Sequence, residues 1–200
     1  MNLTAQQEDA LVELINIGFG RAAAALSELT GQRVLLDVPR VAITPLDQLR
    51  QALDGFVSGD IATVHQIFGG QVAGDAMLVL SYEGAVTLVS LLMDGRPQTH
   101  RLDASDREAL TEVGNIILNT CLSTFGNMLQ SHISFAVPRL HLDSLNTLLN
   151  SLLIGADELR YTLIVFTNFR LRDSAVSGYL VIILGVASLD RLIEAVEGLG

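Results

Sequence analysis

Apolar residues at helical spacing run through residues 5–30 and again through 106–131, and the polar positions inside these runs match. Residues 9–16 read Asp-Ala-Leu-Val-Glu-Leu-Ile-Asn, and residues 108–115 read Glu-Ala-Leu-Thr-Glu-Val-Gly-Asn, at an offset of 99. On a helix Asp9, Glu13 and Asn16 stand at i, i+4 and i+7 and share a face, as do Glu108, Glu112 and Asn115. After each Asn come 22 residues and then a proline, Pro39 or Pro138, inside a repeated Val-Pro-Arg. Thr4 suits the N-cap of the first helix and Gly31 its end. Asp103 or Ser105 can cap the second.

Between and after these helices the pattern changes to that of strands. Residues 33–43 read as extended, with Pro39 confining the segment to an edge or a strand end. A polar helix-like stretch at 45–53 precedes strands at about 58–69 and 72–82, joined at Gly69-Gly70, and a helix at about 83–93. Asp94-Gly95-Arg96-Pro97 and the polar residues to Asp103 form the internal boundary. The second half predicts a strand at 132–140, a short helix at 143–153, strands at 161–169 and 176–185 around Arg172-Asp173, and a helix at 188–197. Residues 74–92 lie over 178–196 at an offset of 104, apolar on apolar. The expected fold is α+β: a tandem, pseudo-symmetric duplication with an antiparallel sheet and two long motif-bearing helices. It forms a single domain over 1–200, made of repeats 1–97 and 103–200.

Charge narrows the choice of partners. The net charge is −10, and all 12 basic residues other than His are Arg. An acidic surface disfavours nucleic acid and anionic membranes, and the absence of Lys removes P-loop and Schiff-base chemistry. No uninterrupted apolar run reaches the roughly 18–20 residues of a membrane span. No basic segment leads an apolar one at the N-terminus, and the lone Cys121 suggests a reducing compartment. Cytoplasmic placement is expected.

Few residues offer chemistry. His65, His100, His132 and His141 are scattered without metal-ligand spacing, and Cys121 reads as a buried thiol. Gly18-x-Gly20 lies within a helical run with no preceding strand, so it is no dinucleotide fingerprint. These glycines allow either tight packing within the chain or close approach of a partner beside Asn16. Asp60 and Asp75 flank a hairpin with no evident partner. The Glu and Asn pairs could simply be solvated faces of amphipathic helices. Against that, acids at i, i+4 disfavour a helix by a few tenths of a kcal/mol, yet both copies keep them. An amide cannot act as a general base, but it can hold a water in line with a phosphoryl group, as a glutamine does in small GTPases.

Asp9-x3-Glu13-x2-Asn16-x22-Pro39 resembles the signature of the CheC, CheX and FliY phosphatases of bacterial chemotaxis. Glu112-Val-Gly-Asn-Ile is similar to that family's Glu-x-Gly-Asn-Ile, and the two-copy layout is that of the CheC type. Glu108 stands where the family usually has Asp or Ser, and Ile15 where it usually has Gly. The resemblance implies hydrolysis of the aspartyl phosphate of a CheY-like response regulator. Glu13 and Glu112 would meet the regulator's lysine, and Asn16 and Asn115 would orient water. Asp9, Glu108, Pro39 and Pro138 would support them. It implies no cofactor of the chain's own, Mg²⁺ on the regulator, and the deamidase CheD as a further partner. The alternative is a module that binds a receiver domain or CheD without turnover. The small Gly114 before Asn115 suggests that the second site is the stronger, because Ile15 would hinder approach at the first.

Overall fold

The computed structural model describes residues 4–53, 59–93, 101–128, 130, 132–153, 160–171 and 174–198. Its helices are α1 (Ala5–Thr30), α2 (Leu49–Leu53, after a 3₁₀ turn at Leu46–Gln48), α3 (Tyr82–Leu92), α4 (Ala104–Met128), α5 (Leu145–Leu153) and α6 (Val186–Glu197). The strands are β1 (Val34–Pro45), β2 (Asp60–Gly70), β3 (Gly74–Ser81), β4 (Ile133–Phe135), β5 (Arg139–Ser144), β6 (Arg160–Leu171) and β7 (Ser174–Gly185). The mixed helix and antiparallel-sheet class is as the sequence predicts. The turn residues Arg172 and Asp173 and the boundary segment 94–100, with His100, lie outside the described residues.

Both long helices start on reciprocal caps. The Thr4 hydroxyl accepts the Gln7 N–H at 3.2 Å, and the Gln7 side chain accepts the Thr4 N–H at 2.7 Å. At α4 it is Asp103, not Ser105, that caps: its carboxylate accepts the Asp106 N–H at 2.8 Å, and the Asp106 carboxylate accepts the Asp103 N–H at 2.9 Å. Each cap satisfies N–H groups that the first turn leaves open. Gly31 ends α1 in the left-handed region at φ 65°. α4 ends at Met128, short of the predicted 131, and Gln130 turns the chain at φ 48°.

Leu11, Leu14, Ile15, Phe19, Ala22 and Leu26 form the buried stripe of α1. By length and composition alone α1 could cross a membrane, although its apolar residues are interrupted. Its stripe is used instead in the core, where burying a Leu, Ile or Phe side chain contributes about 1.5–3 kcal/mol. α1, α3, α4 and α6 supply that core on one face of the sheet. The 3₁₀ turn, α2 and α5 cover a smaller cluster around Met77, Val79, Tyr179 and Val181 on the other.

Among the described residues the sheet has seven antiparallel strands in the order β1-β6-β7-β3-β2-β4, with β5 also paired to β2. The expected hairpins form as β2–β3 and β6–β7. The first strand of each half, however, pairs with the hairpin of the other half. The order of elements is alike in the two halves, and the sheet reads the same from either edge. Gly69 and Gly70 belong to β2, and the turn falls at residues 71–73. The strand predicted over 132–140 is divided in two, because Ala136-Val137-Pro138 leaves the ladder while Ala136 stays tied by its N–H to the Ile67 carbonyl at 2.9 Å. The buried Gln66 side chain donates to the Ala136 carbonyl at 2.9 Å and so bridges the break. Pro39 lies at the matching place in edge strand β1, where the register slips between Asp37 and Arg40. Each proline thus falls where a ladder N–H is dispensable.

Candidate functional site

The apolar stripe sets the phase of α1 and thereby turns Asp9, Glu13 and Asn16 to solvent. Ile17, 45% exposed, lies beside them, and Gly20 follows one turn on with open space where a side chain would stand. On α4, Glu108 and Glu112 are exposed and Asn115 is half-buried. Asp9, Glu13, Asn16, Glu108 and Glu112 make no side-chain hydrogen bond or ion pair with the described residues. Each pair stays on its own helix. Pro138 is half-buried between β4 and β5, and Pro39 lies within β1.

The glycines separate into two roles. A Cβ on Gly18 would stand 3.1 Å from Cys121 Cα, so this glycine lets α1 and α4 approach each other. Packing within the chain accounts for it. Gly20 instead leaves open surface next to Asn16. Cys121 is buried at this helix contact, and burial pushes its thiol well above the ordinary range, which removes it as a nucleophile.

Two sequence expectations need correction. Gly114 does not open the surface before Asn115: it is buried, and its Cβ would meet Val64 Cβ of β2 at 2.5 Å. Ile15, at the matching place on α1, is 1% exposed in the core. Neither residue faces an approaching partner, so the reason for ranking the second site above the first falls away. Asp75 does have a partner, since its carboxylate lies 2.8 Å from His65 Nε2 across the β2–β3 hairpin. His65 is thus a strand residue as expected, and His132 just precedes β4.

One residue beside the second site was not singled out from the sequence. The Asn119 amide donates to Asn115 Oδ1 at 2.8 Å. The i, i+4 spacing of the two asparagines is visible in the sequence and is the signal that could have found it. Its counterpart on α1, at the same spacing from Asn16, is Gly20. Among the described residues no three His, Cys, Asp or Glu side chains gather as a metal site would require.

Fold and site together define a mixed helix and antiparallel-sheet domain that presents a carboxylate and an amide one turn apart on each of two long helices. A model of the CheC-like family matches residues 7–43, the stretch from the first motif through Pro39. The chain is 26% identical over 144 residues to the CheY-P phosphatase CheC of Bacillus subtilis, covering 69% of this chain and 67% of that one. Among solved structures, FliY of Thermotoga maritima superposes with a TM-score of 0.78 over 99% of both chains at 19% identity. The FliM middle domain from H. pylori superposes at 0.66 and 10% identity, over 96% of this chain and 99% of that one. The family model and the CheC relative show a chain similar to CheC-like proteins, and the FliY and FliM likenesses show a shared fold.

Proposed function

We propose that this chain removes phosphate from the aspartyl phosphate of a CheY-like response regulator. The observation that carries the reading is the exposed pair Glu13 and Asn16 on one turn of α1, recurring on α4 as exposed Glu112 and half-buried Asn115. The CheC relative's name supports the substrate class. Glu13 or Glu112 docks the regulator's lysine by charge. Asn16 or Asn115 enters the regulator's active site and holds the hydrolytic water in line. The Mg²⁺ belongs to the regulator, so the chain needs no cofactor of its own. An acyl phosphate hydrolyses unaided, and each hundredfold acceleration asks for only about 2.7 kcal/mol, which positioning can supply. Ile17, exposed beside Asn16, gives the regulator an apolar foothold. CheD is a further candidate partner, and a cytoplasmic setting fits a receiver substrate.

The test compares Asn16→Ala, Asn115→Ala and the double variant for phosphate release from one phosphorylated CheY-like regulator. Each single variant should keep part of the activity, and the double should fall to the unassisted rate. A folded single variant with no activity would refute two working sites. A shared fold does not specify chemistry, and the FliM middle domain shares this one. The second reading is therefore a module that docks a receiver domain without turnover. It would be favoured if the wild-type chain binds the phosphorylated regulator and leaves its hydrolysis rate unchanged.

A further inference from the structure

The two pairs differ in how their asparagines are held, which the shared motif does not cover. Asn16 has no side-chain hydrogen bond to the described residues, and Gly20 one turn on offers none. Asn115 is held: its Oδ1 accepts from Asn119 Nδ2 at 2.8 Å. Asn119 accepts nothing in return, because its own Oδ1 is buried without a hydrogen-bond partner. A buried, unpaired amide oxygen destabilises the folded chain, so fold stability alone does not explain an asparagine here.

We propose that Asn119 is a positioning residue of the second site, fixing which end of the Asn115 amide is presented to the regulator. A side-chain amide can turn over and exchange its donor for its acceptor. With Oδ1 anchored to Asn119, the Asn115 Nδ2 and one remaining Oδ1 lone pair are left for the ligand. That set suits a water that accepts from Nδ2 and donates to Oδ1, or a phosphoryl oxygen that accepts from Nδ2. The first site pays the orientation entropy of Asn16 at each turnover, and the second is preorganised. This inference rests on the phosphatase reading above.

The test is made in the full chain carrying Asn16→Ala, so that only the second site acts. Asn119→Ala removes the clamp. Asn119→Asp keeps its shape but can only accept, which turns the Asn115 amide around. Steady-state kinetics on a purified CheY-like receiver, phosphorylated by a small-molecule phosphodonor, give kcat and KM, and thermal melts report folding. Both variants should lose about three- to tenfold in kcat, the value of one neutral hydrogen bond. KM should stay within about twofold in both, and the melting temperature of Asn119→Ala within about 4 °C. Unchanged kcat in both variants would overturn the proposal, as would a kcat loss that tracks a matching rise in KM and fall in melting temperature. The Asn16→Ala/Asn115→Ala double variant separates the two levels. Wild-type activity in that double would sink the phosphatase site itself, and Asn119 with it. An inactive double beside Asn119 variants equal to their parent would sink only the positioning role.

Discussion

Replacing Gly114 by Ala tests whether this glycine is a packing residue or a surface one. A Cβ built there lies 2.5 Å from Val64 Cβ, 2.5 Å from Cγ1 and 2.7 Å from Cγ2. Carbon atoms pack best at about 3.5–4.0 Å, so the deficit is about 1 Å against three atoms. Val64 cannot swing away, because a β-branched side chain is stiff at χ1 and its Cβ is fixed by the strand. β2 is itself held by β3 on one side and β4 and β5 on the other. The new methyl must therefore lift α4. Overpacking of this kind costs about 1–3 kcal/mol, and the better helix propensity of Ala returns about 1 kcal/mol. The net loss is at most about 2 kcal/mol, or up to about 8 °C in Tm for a chain of this size. Gly20→Ala is the control: nothing lies within 4 Å of its Cβ, so the same propensity gain should raise Tm by about 2–4 °C. Combining Gly114→Ala with Val64→Ala removes the two γ carbons and leaves the Cβ contact. The pair should then lose at least about 0.5 kcal/mol less than the sum of the singles. Chemical denaturation with a linear fit measures all four variants. A Gly114→Ala variant as stable as Gly20→Ala, or strict additivity with Val64→Ala, would refute the packing argument.

Changing Glu13 and Glu112 together to Ala should weaken regulator binding as well as turnover, whereas Asn16→Ala/Asn115→Ala should mainly lower turnover; equal binding losses in a titration would contradict that division. Calorimetric titration of Mg²⁺ into the chain alone should show no specific heat, and a stoichiometric micromolar site on the motif acids would place the metal on the wrong molecule. Burial pushes the Tyr179 phenol from 10 up to about 12, with Arg40 opposing. The unfolded chain then loses this proton first, so stability should fall as pH rises from about 10 to 12 and level off above. Tyr179→Phe should flatten that slope in denaturation curves, and an unchanged slope would rule the phenol out as its source.

What the sequence discloses depends on how local the determining contact is. The caps at Thr4 and Asp103, the left-handed stop at Gly31 and the motif faces all follow from residues within a turn or two of one another. The restriction on Pro39 and Pro138 follows from the missing N–H. The sheet order was not legible, because β1 pairs with β6 across more than a hundred residues and no periodicity encodes a partner. Asp75 is a smaller case of the same kind: its contact with His65 runs diagonally across the hairpin, and strand pairing had to be known first. Gly114 is different, since its phase was readable. It lies four residues after Leu110 and four before Leu118, both buried, and hence on the apolar stripe.

The sheet order also decides how the two candidate surfaces can be taken apart. β1, which follows the first motif helix, is zipped to β6 of the second half along nearly its whole length. β4 and β5, which follow the second motif helix, are paired to β2 of the first half. The central β3–β7 pairing joins the halves again. At Gly18 and Cys121 the motif helices touch closely enough that a methyl would crowd the contact. Cutting the chain between the halves would therefore strip each hairpin of its edge strand and expose the row of N–H and C=O groups that the edge strand satisfies. It would also open the apolar cluster shared by α1 and α4. A half that fails to dephosphorylate a regulator would report lost folding, not a lost site. The two surfaces can be assigned separate activities only by side-chain changes on their exposed faces, where Asn16 and Glu13 on one helix and Glu112 on the other hold no part of the fold together.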